Sequence, residues 1–198
     1  LKDNESILSG VLWDQKKKYL KFHPDVGMGV VVTGKITTWS KFKTTYQIDI
    51  DKIELAGEGA ILKLIEDRKK RLKAKGLFEV EKKKTLPFLP SKIGVITSPT
   101  GSVIHDIINR IKDRFLVAID VWPTPVQGAE AAEAIIQAIK GFNNMPHIDQ
   151  PELIIIARGG GSTEDLMAFN NENLAFAVFE SSIPIISAIG HETDTTII

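Results

Sequence analysis

Four short apolar runs in the second half of the chain alternate with segments that carry apolar residues on one helical face. This alternation constrains the fold more than any other feature. The predicted strands cover 92–97, 116–122, 152–157 and 183–189, and the predicted helices cover 102–110, 129–139 and 172–180. Apolar strands that alternate with helices are typical of a parallel sheet covered on both faces. The sequence therefore predicts an α/β domain of that kind.

Each predicted strand is followed by a polar loop. Crossovers in such sheets are almost always right-handed, so these loops share one edge, where ligands bind. The loops carry hydroxyl, amide and glycine positions as candidate phosphate- or substrate-binding residues: Ser98, Gly101, Gln127, Gly159, Gly160, Gly161 and Ser162. They also bring Arg158, His191 and Asp194 to the same edge. An arginine can stabilise charge that builds on a phosphoryl group. His191 is a natural general acid or base near neutral pH. Asp194 could orient His191 or hold a metal.

The loop after the third strand is a run of glycines, Ala157-Arg158-Gly159-Gly160-Gly161-Ser162, and it precedes a segment that can be helical. A strand that ends in such a run and opens into a helix is typical of phosphate-binding loops in α/β proteins. Glycines leave room for a ligand near the main chain, and the Arg158 guanidinium suits phosphate oxygens.

Each of these features also has a structural interpretation. Ser162 with Asp165 matches a helix capping box. The glycines could serve only a tight turn, Arg158 could be an ion-pair partner, and His191 could be structural. An acidic residue early in a helix, such as Asp106, also favours the helix dipole.

The first part of the chain has the composition of a small β domain. Residues 30–37 are rich in β-branched side chains, and residues 45–55 alternate apolar and polar, with 40–43 as the predicted hairpin connection. Short strands with glycine punctuation favour a small all-β barrel of the OB type.

A basic segment joins the two parts. The sequence predicts a helix over 60–75 that Gly76 ends, followed by a proline-punctuated linker. Between Lys63 and Lys84 there are ten basic and four acidic residues, although the whole chain has a net charge of zero. Such an excess can mark a surface for an anionic partner, or it can be a solvated helix face.

Composition excludes several classes of protein. The chain has no cysteine, which excludes disulfides and thiolate chemistry and favours an intracellular, cytoplasmic location. It has neither an apolar run long enough to cross a bilayer nor a signal-peptide pattern, so no membrane association is expected. The chain starts at Leu1 without Met and ends within an apolar segment at Ile198, which favours a piece of a longer protein.

Four separated motifs occur together in a distinctive order. They are Ile93-Gly94-Val95-Ile96-Thr97-Ser98 with Gly101 and Asp106, then Pro123-Thr124-Pro125-Val126-Gln127-Gly128, then Arg158-Gly159-Gly160-Gly161-Ser162 with Glu164-Asp165-Leu166 and Phe169-Asn170, and finally Gly190-His191-Glu192-Thr193-Asp194. In this order they resemble the large subunit of bacterial exodeoxyribonuclease VII, and the resemblance covers essentially the whole chain.

The resemblance implies three regions: a partial OB-fold for single-stranded DNA over 1–57, a basic helix and linker over 58–90, and a nuclease domain over 91–198, truncated at its C-terminal end. It implies catalytic roles for Asp106, Arg158, His191 and Asp194. In the OB-fold it makes a basic and aromatic set the candidate DNA-binding residues: Lys35, Trp39, Lys41, Phe42, Lys43 and Tyr46.

The activity that the resemblance implies is hydrolysis of single-stranded DNA from either end to short oligonucleotides with 5′-phosphates. A divalent metal such as Mg²⁺ is not a uniform requirement in the family, so no cofactor is certain. A small subunit is the implied partner, through a helical region that this sequence lacks. The alternative is a non-catalytic module that binds single-stranded nucleic acid or nucleotide phosphates.

Overall fold

The computed structural model of the chain describes residues 1–2, 6–18, 20, 24, 26, 28–40, 44–191 and 195–198. At residues 39–40, 44–45, 55 and 58–60 it describes the backbone alone. No helix in the described part of the chain is both long enough and apolar enough to span a membrane.

The N-terminal part forms a small mixed sheet. Its strands are β1 (Ser9–Val11), β2 (Val30–Ser40) and β3 (Thr44–Leu55), in the order β1-β3-β2, and a short helix α1 (Asp14–Lys17) follows β1. β2 and β3 are antiparallel, and β1 runs parallel to β3. A close approach of the two long strands requires Gly34, because a Cβ there would lie 2.3 Å from the Asp49 carbonyl oxygen. This sheet confirms the predicted small β domain.

The basic segment forms the helix α2 (Glu58–Ala74). The chain leaves the helix at Gly76, whose φ of +76° lies in the left-handed region that favours glycine. The predicted helix and its glycine stop are therefore confirmed, with the start two residues earlier than expected. A 3₁₀ turn at Val80–Lys82 lies in the linker that follows.

The second part is a four-stranded parallel sheet. Its strands are β4 (Lys92–Thr97), β5 (Ala118–Pro123), β6 (Leu153–Arg158) and β7 (Ile185–Ile189), in the order β5-β4-β6-β7. The connecting helices are α3 (Ser102–Lys112), α4 (Ala131–Asn143) and α5 (Glu172–Glu180). All three strand pairs are parallel, as the alternation predicted.

Helices cover both faces of this sheet. On one face, Ile93 and Val95 of β4 pack with Ile104 of α3. On the other face, Ile96 of the same strand packs with residues of α4 and α5, including Ile135. Alternate residues of a strand point to opposite faces, so the uninterrupted apolar run of β4 serves two cores.

The segment after the glycine run differs from the expectation. No α-helix opens at Ser162; residues 163–166 form turns and a 3₁₀ helix covers Met167–Asn170. The next α-helix begins at Glu172, where the Asn171 side chain caps it by accepting from the backbone N–H groups of residues 173 and 174. Phosphate binding at a helix N-terminus therefore has no basis at the glycine run.

α2 connects the two sheets. Its Ile61 packs with Met167 of the second part and with Val30 and Ile53 of the first. Arg68 of the same helix donates a hydrogen bond of 3.1 Å to the backbone oxygen of Asn170. The basic helix is thus packed against the parallel-sheet domain.

Candidate active site

The four polar loops lie at one edge of the parallel sheet. The connection that leaves β4 leads to β5 on one side, and the connection that leaves β6 leads to β7 on the other, so the direction reverses between β4 and β6. Ligands of open α/β sheets bind in the crevice at such a point. The loops that flank it are residues 98–101 and the glycine run.

Arg158 ends β6 and is only 9% exposed. Its guanidinium donates one hydrogen bond, of 3.1 Å, to the Gly159 carbonyl oxygen. Among the described residues it has no carboxylate within ion-pair distance. Buried charges in proteins are normally paired. This guanidinium is therefore a candidate to bind an anionic ligand.

The three glycines provide space rather than unusual backbone angles. None of them has a positive φ. A Cβ on Gly160 would lie 1.7 Å from Cε1 of His191, and a Cβ on Gly161 would lie 2.1 Å from a guanidinium nitrogen of Arg158. A Cβ on Gly159 would meet Val103 of α3 at 3.3 Å. The room left by two of the glycines is therefore filled by the predicted catalytic side chains themselves.

His191 reaches this position through Gly190, the first residue after β7. Gly190 has a φ of +74°, and its N–H donates a hydrogen bond of 3.0 Å to the Arg158 carbonyl oxygen. This left-handed turn directs the chain back over the neighbouring strand, so that the exposed His191 ring lies over the glycine run. Asp194, with Glu192 and Thr193, lies outside the described residues.

The loop after β4 borders the same crevice. At its base, the buried Thr97 hydroxyl donates a hydrogen bond of 2.8 Å to the Ala157 carbonyl oxygen, which joins the ends of β4 and β6. The hydroxyls of Ser98 and Thr100 are 3.3 Å apart. Gly101 precedes α3 with an ordinary φ of −77°, and a Cβ there would have no neighbour closer than 3.7 Å. No geometric constraint of its own thus requires glycine at position 101.

Asp106 and Gln127 form no hydrogen bond or ion pair with Arg158 in the described part of the chain. Asp106 is exposed in the second turn of α3, one turn beyond Val103 on the same side of the helix. Gln127 is exposed in the loop after β5, two strands away from β6. Their roles remain predictions.

Ser162 has the structural role that the capping-box pattern predicted. Its hydroxyl donates to the Asp165 carboxylate at 2.9 Å and accepts from the Asp165 N–H at 3.2 Å. The pair closes the turn after the glycine run, although no α-helix follows. A role of Ser162 toward phosphate remains a prediction beside this one.

The described residues include no group of three His, Asp or Glu side chains that could hold a metal ion. The described part of the site therefore does not by itself provide a Mg²⁺ site.

Two of the candidate DNA-binding residues of the first sheet, Lys35 and Tyr46, lie on opposite sides of it. Lys35 pairs with Asp49 and Tyr46 pairs with Thr38, positions that face opposite sides of the β2–β3 ribbon. Lys41, Phe42 and Lys43 lie outside the described residues, as does the side chain of Trp39.

The Lys35 side of the ribbon carries balanced charge. The Lys16 ammonium lies 2.9 Å from a carboxylate oxygen of Asp49 and 2.7 Å from one of Asp51. The hydrogen bond from Lys16 holds the pKa of Asp51 below its ordinary value, with a smaller contribution from the charge of Lys35, and the two aspartates raise the pKa of Lys16. This side is therefore less basic than its lysines suggest.

Sequence reasoning did not assign a role to Asn170, which is 1% exposed. Its Oδ1 accepts a hydrogen bond of 3.0 Å from the Ile197 N–H, and its own backbone oxygen accepts from Arg68. Asn170 thus joins the segment after the glycine run to the segment after the His191 loop and to α2. Its place in the motif Phe169-Asn170 was the only available signal.

Two family models match the chain. Residues 77–198, more than half of the chain, match the family model described as exonuclease VII, large subunit. Residues 1–54 match the OB-fold nucleic acid binding domain.

Curated relatives are similar over the whole chain. The exodeoxyribonuclease 7 large subunit of Mesorhizobium japonicum is 54% identical over 201 aligned residues, and that of Rhodospirillum centenum is 52% identical. These alignments cover 100% of this chain and 38% of each relative. The corresponding protein of Bartonella henselae is 51% identical, with 42% of its length covered. The chain therefore spans about two fifths of these relatives, and it belongs to the exonuclease VII large subunit family.

Proposed function

We propose that this chain carries the catalytic site of an exodeoxyribonuclease that hydrolyses phosphodiester bonds of single-stranded DNA from either end. The expected products are short oligonucleotides with 5′-phosphates. The family membership and the name shared by its relatives support this activity.

One observation carries the proposal more than any other. The Arg158 guanidinium is buried at the crevice between β4 and β6, without a carboxylate partner among the described residues, and the His191 ring packs on the same glycine run. A DNA phosphate bound there would supply the missing negative charge and would place phosphorus next to an imidazole.

The proposed reaction is attack of water on that phosphorus. The new P–O bond forms as the bond to the 3′ oxygen breaks, which leaves the phosphate on the 5′ end of the product. His191 takes the proton of the water or gives one to the departing 3′ oxygen, and Arg158 stabilises the charge that builds on the phosphoryl oxygens. We assign Asp106 and Asp194 to positioning His191 or the water, with main-chain amides of the glycine run as further phosphate donors.

The N-terminal sheet supplies the second half of the proposal. Its similarity to an OB-fold nucleic acid binding domain supports binding of single-stranded DNA. The name "large subunit" of the relatives supports a smaller companion, which we place on sequence outside residues 1–198. Since DNA is the substrate, we place the reaction in the cytoplasm.

The experiment replaces His191 by Ala in the natural full-length protein and measures hydrolysis of a labelled single strand. Loss of a positioned general acid or base lowers such rates by about 10²–10⁴-fold. The matched control is His147→Ala, because His147 is exposed in the segment between α4 and β6, away from the loop edge.

Near wild-type hydrolysis by His191→Ala would reject the assigned site. Binding of single strands by the wild-type protein without any hydrolysis would instead support the non-catalytic binding module.

A further inference from the structure

A cavity of about 640 Å³ lies between α2 and the ends of the two loops that carry the proposed catalytic residues. α2 contributes Lys63, Glu66 and Lys69 to its lining. The loops contribute Thr163, which directly follows Ser162, and Thr195 with Thr196, which follow the His191 loop. We call it the lysine–threonine cavity. It adjoins the proposed catalytic site on the side of the basic helix.

Among the described residues, the lining of the cavity carries an excess of positive charge. Lys63 and Lys69 form no hydrogen bond or ion pair with any other described residue. The one carboxylate of the lining, Glu66, lies 3.8 Å from the ammonium of Lys70, a lysine outside the lining. A cavity with two unpaired ammonium groups attracts anions.

The arginines of α2 have a different role from its lysines. Arg68 donates to the Asn170 backbone oxygen, and Arg71 forms an ion pair with Glu172 at the start of α5. These contacts fix the helix on the parallel-sheet domain. Lys63 and Lys69, on the adjoining side of α2, are therefore held next to the loops, although they form no hydrogen bond or ion pair with other described residues.

Hydroxyl groups add hydrogen-bond donors to this charge. Thr163 and Thr195 form no side-chain hydrogen bond within the described part of the chain, whereas the Thr196 hydroxyl donates to the Ile198 carbonyl oxygen at 2.8 Å. Ammonium and hydroxyl donors around one space suit phosphate oxygens.

We propose that the lysine–threonine cavity binds the sugar–phosphate backbone of the single-stranded DNA substrate, beyond the phosphate held at Arg158. This inference rests on the proposed function. Lys63 and Lys69 are anchored roughly 9 Å apart along the helix, at 1.5 Å per residue. Such a separation suits successive phosphates of a strand better than one phosphate ion. The basic helix thereby guides the strand between the OB-like sheet and the catalytic edge.

The test uses the double variant Lys63→Ala/Lys69→Ala of the natural full-length protein. Binding is measured in a His191→Ala background by fluorescence anisotropy, with a strand of roughly 12 nucleotides, within the range that OB-folds span. The control is Lys112→Ala/Lys140→Ala, since both lysines lie near the ends of helices that run away from the loop edge. We expect the affinity to fall several-fold and the slope of log K against log salt to fall by about 1.4, at 0.7 per phosphate contact. The control should match the parent.

Further measurements distinguish whether the phosphate bound in the cavity belongs to a DNA strand or to a mononucleotide. With His191 intact, the double variant should raise KM for the long strand and affect a dinucleotide less, because a dinucleotide whose single phosphodiester lies at Arg158 has no further internucleotide phosphate for the cavity. A 5′-mononucleotide should compete equally against both proteins. A Lys63→Gln/Lys69→Gln pair repeats the test if the alanine variant unfolds.

An unchanged affinity and salt slope in the double variant would overturn the inference, as would a selective loss of mononucleotide competition, which would indicate a product site. Failure of the proposed function gives a different result, because the wild-type protein itself would then not hydrolyse single-stranded DNA.

Discussion

Two positively charged side chains, the buried Arg158 at the loop edge and the partly exposed Lys16 beside the N-terminal sheet, differ in whether described carboxylates balance their charge. Lys16 lies between two carboxylates, at 2.9 Å from Asp49 and 2.7 Å from Asp51. Arg158 is more deeply buried and, among the described residues, has one hydrogen bond to a carbonyl oxygen and no carboxylate partner. A cation whose charge is balanced within the fold has a structural role, whereas a buried cation without a counter-charge indicates where a ligand's negative charge belongs.

The two regions also differ in what occupies the space beside their glycines. At the loop edge, the His191 and Arg158 side chains occupy the space that a Cβ at 160 or 161 would fill. In the N-terminal sheet, the space beside Gly34 is occupied instead by the Asp49 carbonyl oxygen of the paired strand and by the Ile48 side chain. The loop edge is therefore built around particular side chains, which is characteristic of a preorganised site.

The largest effect is expected for Gly160→Ala. The new Cβ would lie 1.7 Å from the His191 ring and must displace it. Since the ring is exposed, it can swing outward without disturbing a core, so hydrolysis of single-stranded DNA should fall by about 10²-fold or more, as for loss of a general acid or base. The free energy of unfolding should change by less than about 1 kcal/mol. Steady-state kinetics and denaturant unfolding of the natural full-length protein measure both.

Wild-type kinetics in Gly160→Ala would show that the position of His191 over the glycine run does not matter. Loss of activity with a large loss of stability would indicate a structural role for that packing instead.

The smallest effect concerns Lys16→Met and the dependence of stability on pH. Because the pKa of Asp51 is lowered in the folded protein from its ordinary value of 3.8, the pair stabilises the fold above that pH and the stabilisation is lost as pH falls through the folded pKa. The raised pKa of Lys16 gives a contribution that is lost at strongly alkaline pH. Lys16→Met should flatten the decline in unfolding temperature below about pH 4. An identical acid profile in both proteins would contradict the pairing.

The sequence predicted the order of strands and helices well because the apolar runs of the parallel sheet serve two cores at once. Local interactions were also predictable: the Ser162–Asp165 pair joins residues three positions apart, and Gly76 ends α2 as expected. The segment after the glycine run was not, since the turns and 3₁₀ helix there depend on the packing of Met167 and Phe169 rather than on local helix preference.

The reason for the glycines could not be predicted either. Their role depends on contact between residue 160 and residue 191, which belong to different strands' loops, and on the left-handed turn at Gly190 that brings them together. The Arg68–Asn170 contact joins residues about a hundred positions apart, and such partners have no local sequence pattern. Long-range contacts of this kind are what the structure adds.

The most direct measurement compares Arg158→Ala with Lys16→Ala in the natural full-length protein, as rates of single-stranded DNA hydrolysis under one set of conditions. If Arg158 binds the phosphate that reacts, Arg158→Ala should lose about 10²-fold or more, the range seen when one transition-state donor is removed. Lys16→Ala, which removes a cation already balanced by two carboxylates, should stay within about twofold of wild type. Equal losses in the two variants, or near wild-type rates in Arg158→Ala, would contradict the account.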